Sequence, residues 1–479
     1  MSRVRPSAGP AAGRQRSWLI LIVLMAGQFM ALLDVTIVNV AMPSVQRDLH
    51  ASGAALQLVV AGYTVSYAMC LITGARLGEL YGRRRVFLIG VTLFTASSAV
   101  CGLAPVPAVL VVARLTQGVG AALMMPQVMT TIQTRFTGRA RARALSAYAS
   151  VLAIGAVCGL VLGGLLVSAD LFGVGWRSVF FVNVPIGIAV IALVPVLVPA
   201  DRPTGVRKLD LVGLVLSAVA VCLIVLPLVL GHQDGWPAWT FACLAAGVLL
   251  AGLFVVVERR IAHPLLNIEV LRVPGVASGL LTLAAGMIAY GGFLFAMSLH
   301  LQGGMGDSAL RAGLTFAPGG AAFGLAGYHW RRLPARWHHA VATAGYVVGA
   351  AGYVTAAAVL GAREDSSVLI AACLLVFGLG MGAALAPLMT HMLANVPAAS
   401  ASDASGLTTT TFQLGQVLGV AVFGSLFLTL AARPVPHASA GAIATTLYWT
   451  AALTVVGAVL SVSLARTVSR ARRAEVLTG

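Results

Sequence analysis

Long apolar stretches recur along the chain, and short polar breaks separate them. Hydrophobic residues make up 59% of the 479 residues, whereas charged residues make up only 9%. A soluble domain carries about 25% charged residues, so this composition excludes a soluble enzyme, a disordered chain and a coiled coil. A helix needs about 20 apolar residues to cross a bilayer. The sequence therefore predicts an all-α polytopic membrane protein.

Fourteen apolar segments are long enough to cross a membrane as helices. They are Trp18–Val40, Leu56–Leu77, Val86–Leu103, Ala108–Thr131, Ala144–Ser168, Val179–Val198, Asp210–Leu230, Thr240–Val257, Val276–Leu301, Ala309–Gly327, Ala340–Leu360, Val368–Met392, Leu407–Ala432 and Ala442–Ala465. The loops between them are short, so we expect no inserted soluble domain. Function is then expected inside the helix bundle.

Basic residues are distributed unevenly between the two sides that fourteen spans would define. Of the 31 Lys and Arg residues, one side holds only Arg47, Arg177, Arg311, Arg363 and Arg433. Arg114 lies inside a span, and all the others fall on the side of the two termini. Basic residues are retained in cytoplasmic loops, which predicts that both termini are cytoplasmic. The same rule accounts for the net charge of +17, so we expect no nucleic-acid partner.

The N-terminal segment Met1–Arg16 is basic, and an apolar run follows it from Trp18. This order is similar to that of a signal peptide. The apolar run is longer than the usual core of a signal peptide, however, and Asp34 and Asn39 lie where a cleavage site would fall. We interpret the run as a retained first span.

Asp34 is the only carboxylate well inside a predicted span, and Arg114 is the only basic residue inside one. A charge at mid-membrane costs at least about 2.5–3.5 kcal/mol on insertion scales, so a partner, a water-filled cavity or protonation must offset it. Burial favours the neutral acid and a nearby arginine favours the carboxylate, so such a group can exchange a proton when its surroundings change. Two simpler interpretations remain, in which backbone donors hold Asp34 and Arg114 extends to the membrane surface.

Two further segments carry unusual patterns. Gly155, Gly159 and Gly163 are four residues apart and Gly164 follows, so the fifth helix has a ridge of small residues that permits close packing or sliding. The loop Gly78–Arg85 holds one acid and three arginines. It is either a solvated loop or a conformational latch, in which these charges pair with a neighbouring helix end in one state only.

The sequence contains no motif that indicates a metal, redox or nucleotide site. The six cysteines form no C-x-x-C pair and lie in apolar stretches, where buried packing is the ordinary interpretation. The sequence contains no G-x-x-x-x-G-K-[ST] loop for ATP. We therefore expect no cofactor, no metal and no enzymatic activity.

Several motifs follow one another along the chain. Leu33–Pro43 holds Asp34 at an acidic position, Ala75–Arg84 follows the pattern G-x-L-a-D-r-x-G-r-R, and Arg114–Gly120 follows R-x-x-q-G-x-G. Gly155–Gly164 follows g-x-x-x-G-P-x-x-G-G, and Trp176–Gly187 follows W-R-w-i-F-x-i-N-x-P-x-G. Together with Ala312–Gly319 and Ala404–Ala421, these segments resemble the major facilitator superfamily, in particular its fourteen-span drug:proton antiporters of multidrug and antibiotic efflux type. The departures are Ala75, Glu79 and Leu80 in the loop motif and Leu160 in place of the motif proline.

This resemblance implies two six-helix bundles with an inserted two-helix hairpin, giving 14 transmembrane helices. The corresponding division has a cytoplasmic N-terminal tail at 1–16 and an N-terminal bundle at 17–200. A linker with two extra spans covers 201–262, the C-terminal bundle covers 263–466 and a cytoplasmic C-terminal tail covers 467–479. The resemblance places the protein in the bacterial cytoplasmic membrane and implies a monomer.

The activity implied by the resemblance is export of lipophilic, often cationic, drugs or antibiotics in exchange for protons by alternating access. Asp34 and Arg114 would carry proton coupling, Glu79, Gly82, Arg83 and Arg84 the latch, and Gly155, Gly159, Gly163 and Gly164 the antiporter motif. Candidates for the wall of the substrate cavity are Gln28, Asn39, Gln57, Tyr63, Gln117, Gln127, Tyr290, Phe293, Phe295 and Gln413, although each could instead serve ordinary packing.

Other interpretations remain open on the sequence. The chain could export one endogenous metabolite or antibiotic with the same coupling, or it could catalyse uptake. Outside the transporter class, it could be a non-transporting membrane receptor or assembly factor. His300 and His391 could titrate, but each is expected at a helix end.

Overall fold

The computed structural model describes residues 10–136, 138–170, 173–200, 210–231, 235–261, 268–362, 366–393, 395–397, 400–433 and 437–478. In the N-terminal half the helices are α1 (Pro10–Leu49), α2 (Gly53–Tyr81), α3 (Arg83–Gly102), α4 (Pro107–Arg135), α5 (Gly138–Ala169), α6 (Gly175–Leu197), α7 (Leu211–Leu230) and α8 (Ala238–Glu258). In the C-terminal half they are α9 (Val276–Leu299), α10 (Ala309–His329), α11 (His338–Gly361), α12 (Ser367–Met392), α13 (Ala401–Gly419) and α14 (Ala438–Thr478). The described residues contain no β-strand.

The structure confirms an all-helical membrane architecture, but it does not confirm the predicted number of spans. Within the described residues, 12 helices are long and apolar enough to cross a membrane. The helices outside this set are α5, whose described apolar part is only Cys158–Ala169, and α10. Helix α10 is rich in glycine and begins with Arg311 in its first turn, which lowers its hydropathy. Fourteen spans therefore remain a prediction.

The helices pack as two groups with a separate hairpin. Helices α1–α6 contact one another, as do α9–α14, whereas α7 and α8 pair with each other and α7 also contacts α2. Only 11% of the apolar stretch of α8 is buried in protein, compared with 72% for α1. The hairpin is therefore peripheral. The predicted limit at 200 falls between α6 and α7, and the limit at 262 lies outside the described residues. The predicted tails 1–16 and 467–479 overlap the ends of α1 and α14, and the domain division stays a prediction.

The two bundles contact each other where α5 ends and α10 begins. A Cβ atom added at Gly164 would lie 2.5 Å from the carbonyl oxygen of Ala309. One added at Gly313 would lie 2.5 Å from the carbonyl oxygen of Leu160. A side chain at either glycine would force the backbones apart. Small residues therefore set the separation of the bundles at this contact.

Two π-helical turns in the C-terminal bundle form further contacts at the same end of the molecule. His300–Gly304 continues α9, and Gln302 Nε2 donates to the carbonyl oxygen of Val40 in α1 over 2.8 Å. Val420–Gly424 follows α13, and Gln57 Nε2 of α2 donates to Ser425 Oγ just beyond that turn over 3.2 Å. Such turns are frequent at functional sites. With both termini cytoplasmic, as predicted, these contacts join the bundles at the periplasmic end.

Candidate functional site

Asp34 of α1 and Arg114 of α4 form a buried ion pair. Arg114 Nη1 donates to Asp34 Oδ2, and the two residues are 1% and 0% exposed, respectively. Removing both charges from water is costly, and only close pairing with further hydrogen bonds offsets that cost. On the sequence, two opposite charges inside spans of the N-terminal half are natural partners and their direct pairing is a hypothesis; the structure shows that they pair. Arg114 points into the bundle, so the interpretation that it extends to the membrane surface is wrong.

Two amides complete the surroundings of the Asp34 carboxylate. Gln117 Nε2 of α4 and Asn183 Nδ2 of α6 each donate to Asp34 Oδ1 over 3.0 Å. Both amides are fully buried. With Arg114 on Oδ2, the carboxylate accepts three hydrogen bonds from side chains. This arrangement also contradicts the interpretation that backbone donors alone hold Asp34.

The guanidinium of Arg114 is held on several sides. Its Nε donates to the carbonyl oxygen of Val59 over 3.1 Å, and its Nη1 donates to Gln117 Oε1 over 2.7 Å. Its central carbon lies 4.4 Å from the centre of the Tyr63 ring, within the range of a cation–π interaction. The charge of Arg114 is thus balanced by Asp34, by neutral acceptors and by an aromatic face.

Local sequence explains why these groups converge. Arg114 and Gln117 are three residues apart, so they share one face of α4. In α6 the helix is interrupted at Val182, and Asn183 begins its long second part. Pro185 lacks an N–H group and cannot donate to the carbonyl of residue 181, which accounts for the interruption. Asn183 is thereby presented at mid-helix toward α1.

The predicted wall residues do not form one cluster. Tyr63 and Gln117 belong to the buried network, Gln57 and Phe295 lie at the contact with the other bundle beside Gly424, and Tyr290 and Phe293 lie in an aromatic cluster of the C-terminal bundle. Gln127 binds the Gly74 carbonyl, Asn39 binds the Val35 carbonyl, Gln413 accepts from Gln416, and Gln28 Oε1 has no partner among the described residues. Their role toward a substrate stays a prediction.

The predicted latch loop makes contacts only within its own bundle in this structure, as far as its residues are described. Glu79 lies 3.6 Å from Arg76 in the same helix. Arg83 donates to Thr134 Oγ1 over 3.0 Å, and Arg84 donates to the carbonyl oxygen of Val198 over 3.1 Å. Gly82 separates α2 from α3 with a φ of 92°, a conformation that favours glycine. A latch across the bundles stays a prediction for another conformation.

The antiporter-motif glycines pack α5 against α1 beside Asp34. A Cβ atom added at Gly159 would lie 2.8 Å from the carbonyl oxygen of Leu33, and one added at Gly163 would lie 3.0 Å from that of Ile37. Gly155 also faces α1, near Leu32 and Phe29, whereas Gly164 faces α10. The ridge therefore supports the segment of α1 that carries Asp34.

Sequence reasoning missed several residues of the site. Asn183 was only part of a motif, and Ser98 of α3, which accepts from Asn183 Nδ2 over 3.1 Å, was not singled out. Nor was Asp48, which accepts from Trp176 Nε1 over 2.9 Å and from Arg177 Nη1 over 2.6 Å. The second contact ties the end of α1 to the start of α6. The motif Trp176–Gly187 was the sequence feature that could have pointed to these contacts, because it contains Trp176, Arg177 and Asn183.

Among the described residues, no group of three or more His, Cys, Asp or Glu side chains is arranged to hold a metal ion.

Comparison with known proteins gives consistent relatives. Residues 24–420 match the sequence profile of the Major Facilitator Superfamily. The chain is 38% identical over 443 residues to the probable actinorhodin transporter of Streptomyces coelicolor, covering 88% of this chain and 74% of that protein. It is 35% identical to the multidrug resistance protein Stp of Mycobacterium tuberculosis, covering 88% and 78%. It is 37% identical to the cephamycin export protein CmcT of Amycolatopsis lactamdurans, covering 84% and 83%.

Solved structures share the fold. A bacterial homologue of the human lysosomal transporter Spinster, in an inward-facing and unoccupied conformation, superimposes with a TM-score of 0.72 at 16% identity, covering 97% of this chain and 99% of that one. The xylose transporter XylE from E. coli, in a partially occluded inward-open conformation, gives 0.61 at 13% identity, covering 92% and 98%.

Proposed function

Because the chain belongs to the major facilitator superfamily, we propose that it is a secondary active transporter that exports lipophilic, often cationic, small molecules in exchange for protons. The chain is a transporter and not an enzyme. The observation that carries the proposed coupling is the buried ion pair of Asp34 and Arg114 with its two amides. The relatives named for antibiotic export and multidrug resistance support drugs or antibiotics as the substrate class.

Alternating access requires that the bundles part at one end while they meet at the other. In this structure the described contacts of α5 with α10, of Val40 with Gln302 and of Gln57 with Ser425 join one end. The inward-facing conformation of the similar structures supports the assignment of that end to the periplasm. Transport would require these contacts to break as contacts form at the opposite end.

Asp34 couples this motion to protons in the proposed mechanism. As a carboxylate, Asp34 accepts from Arg114, Gln117 and Asn183, and these bonds hold α1, α4 and α6 together. Protonation removes the negative charge, so the attraction to Arg114 falls and one oxygen becomes a donor. The balance between the two conformations then depends on whether Asp34 carries a proton. The proton would enter from the periplasmic side and leave on the cytoplasmic side.

A dedicated exporter of a single endogenous antibiotic or metabolite is the second candidate. Two of the relatives are named for a single compound class, actinorhodin and cephamycin, whereas a third is named for multidrug resistance. The coupling site would be the same in both cases, and only the range of substrates would differ.

Everted membrane vesicles test the proposal. Their lumen is acidified, a panel of lipophilic cations and antibiotics is added, and substrate-induced recovery of the pH gradient is measured. The variants are Asp34→Asn and, as a matched control, Asp170→Asn, which changes an exposed carboxylate outside the buried network. We expect recovery that is abolished by Asp34→Asn and retained in Asp170→Asn.

The outcomes separate the candidates. Recovery with several compounds supports a multidrug antiporter, and recovery with one compound supports the dedicated exporter. Recovery that survives in Asp34→Asn would contradict coupling through Asp34. A protein that is inserted and folded but gives no recovery with drugs, antibiotics or metabolites would contradict proton-coupled export.

A further inference from the structure

Asn183 is a buried residue whose amide nitrogen is hydrogen-bonded and whose amide oxygen is not. Its Nδ2 group donates to Asp34 Oδ1 over 3.0 Å and to Ser98 Oγ over 3.1 Å. Its Oδ1 has no hydrogen-bond partner among the described residues, although Asn183 is 0% exposed. Leaving a buried acceptor unpaired is unfavourable, and such groups in folded proteins call for an explanation. The unpaired oxygen lies on the same amide that touches the proposed proton carrier.

The second amide on Asp34 is held differently. Gln117 Nε2 also donates to Asp34 Oδ1 over 3.0 Å, but its Oε1 accepts from Arg114 Nη1 over 2.7 Å and from Cys101 Sγ over 3.8 Å. Turning the Gln117 amide would present its NH₂ group to the guanidinium. The arginine therefore fixes the orientation of Gln117, whereas no described group fixes the oxygen of Asn183.

The two charge states of Asp34 need opposite partners. A carboxylate only accepts hydrogen bonds, whereas a neutral carboxylic acid has one O–H group that must donate. If the acid proton is on Oδ1, the present orientation of Asn183 sets an N–H group against an O–H group. Rotation of the amide by about 180° exchanges its nitrogen and oxygen, and its Oδ1 then accepts from the acid.

We propose that Asn183 is a positioning residue that reverses its amide with the charge of Asp34, donating to the carboxylate and accepting from the neutral acid. This inference rests on the proposed proton coupling. The step adds one proton from the aqueous phase to Asp34 Oδ1 and breaks no covalent bond. The hydrogen bond from Asn183 to Ser98 is lost in the turned orientation, while Ser98 Oγ keeps its bond to the Phe180 carbonyl. A change in the charge of Asp34 thereby makes or breaks a hydrogen bond between α3 and α6.

Infrared difference spectroscopy between high and low pH tests this reversal without any substrate. Purified protein in lipid vesicles is labelled with ¹³C on its asparagine side-chain carbonyls, and the Asn183 band is identified as the one missing from Asn183→Leu. In the wild type, we expect the Asn183 carbonyl band to move to lower frequency as the acid band of Asp34 appears, because its oxygen gains a hydrogen bond. In Asp34→Asn, neither change should occur.

The outcomes distinguish this inference from the function on which it rests. If the Asp34 acid band appears while the Asn183 band stays in place, the reversal is contradicted and proton carriage by Asp34 stands. If no acid band appears over the pH range in which the protein stays folded, proton carriage by Asp34 is contradicted, and the reversal with it.

A comparison of proton-driven efflux with substrate–substrate exchange in vesicles supplies a second test. In Asn183→Leu, we expect proton-driven efflux to fall about tenfold, since a hydrogen bond to a charged group is lost, while substrate–substrate exchange stays within about twofold of the wild type. Thr450→Val is the control, because Thr450 is buried but bonds only within its own helix. Equal loss of efflux and exchange in Asn183→Leu would show a merely structural role and contradict the inference.

Discussion

The interiors of the two bundles use different chemistry. In the N-terminal bundle, Asp34, Arg114, Gln117 and Asn183 form a network that crosses three helices. In the C-terminal bundle a buried cluster is aromatic, with ring centres of Phe293, Tyr353 and Phe377 only 4.5–5.3 Å apart. Buried hydroxyls of that bundle, such as that of Thr450, bond mainly to their own helices. Charge and hydrogen bonds hold the network together, whereas packing between rings holds the aromatic cluster together.

This difference separates two tasks of a coupled transporter. A group that exchanges a proton needs charged and polar neighbours whose alignment changes with its own charge. A surface that accommodates lipophilic molecules needs apolar area and few fixed partners. Under the proposed function, the N-terminal bundle would serve proton coupling and the C-terminal bundle would influence the choice of substrate. The following four experiments test that separation.

Arg114→Leu should have the largest effect. It leaves Asp34 without its cationic partner in a buried site, a change that costs about 3–5 kcal/mol in comparable pairs. We expect substrate-induced pH recovery in everted vesicles to fall by about two orders of magnitude, with reduced thermal stability in detergent. Arg47→Leu, which removes an exposed arginine, is the control. Normal coupling in Arg114→Leu would end the assignment of proton chemistry to this network.

Phe293→Ala addresses the aromatic cluster. Phe293 contacts Phe316, Tyr353 and Phe377 and is 2% exposed, so its truncation leaves a cavity that costs about 3–5 kcal/mol in soluble cores. We expect a lower unfolding temperature and a several-fold change in relative transport among substrates. The number of protons exchanged per substrate, measured from the reversal potential in proteoliposomes, should stay the same. A changed proton number would contradict the separation.

Gln57 and Ser425 form a hydrogen bond between the two bundles. A double-mutant cycle measures the contribution of that bond to stability. Gln57→Ala, Ser425→Ala and the double variant are compared by thermal unfolding of the purified protein. A neutral hydrogen bond contributes about 1 kcal/mol, so the single changes should be non-additive by about that amount. Additive effects would show that this bond does not couple the bundles.

Tyr353→Phe should have the smallest effect. The hydroxyl of Tyr353 is buried and has no partner among the described residues. Removing a polar group that is not hydrogen-bonded relieves a desolvation cost. We expect transport within about twofold of the wild type and an unchanged or slightly higher unfolding temperature. A large loss of transport would show that this hydroxyl acts on a substrate and that the cluster is more than a matter of shape.

The sequence was informative where a residue type is rare in its surroundings. Asp34 and Arg114 are single charges in apolar helices, so their position alone indicated a site. The glycines of α5 indicated a close helix contact through their four-residue spacing, although the sequence did not show that Gly164 faces α10 while the other three face α1. The family motifs added the two-bundle architecture.

Other parts of the site could not be read from the chain. Neutral polar residues such as Asn183 and Ser98 are ordinary in membrane helices, and only their distance from Asp34 distinguishes them. The wall candidates were chosen by residue type, which does not reveal the face of a helix that they occupy. The two π-helical turns leave no clear local pattern in the sequence.

The hairpin of α7 and α8 also touches the place where the bundles meet. Ser425 Oγ, which binds Gln57, lies 3.2 Å from the carbonyl oxygen of Leu228 near the end of α7. When α2 and Ser425 separate, α7 must either follow Ser425 and leave its contacts with α2, or lose that bond. Because most of the hairpin surface is not covered by protein, its displacement would push aside the surrounding acyl chains. The rate of the transport cycle would then depend on the fluidity of the membrane as well as on the protein.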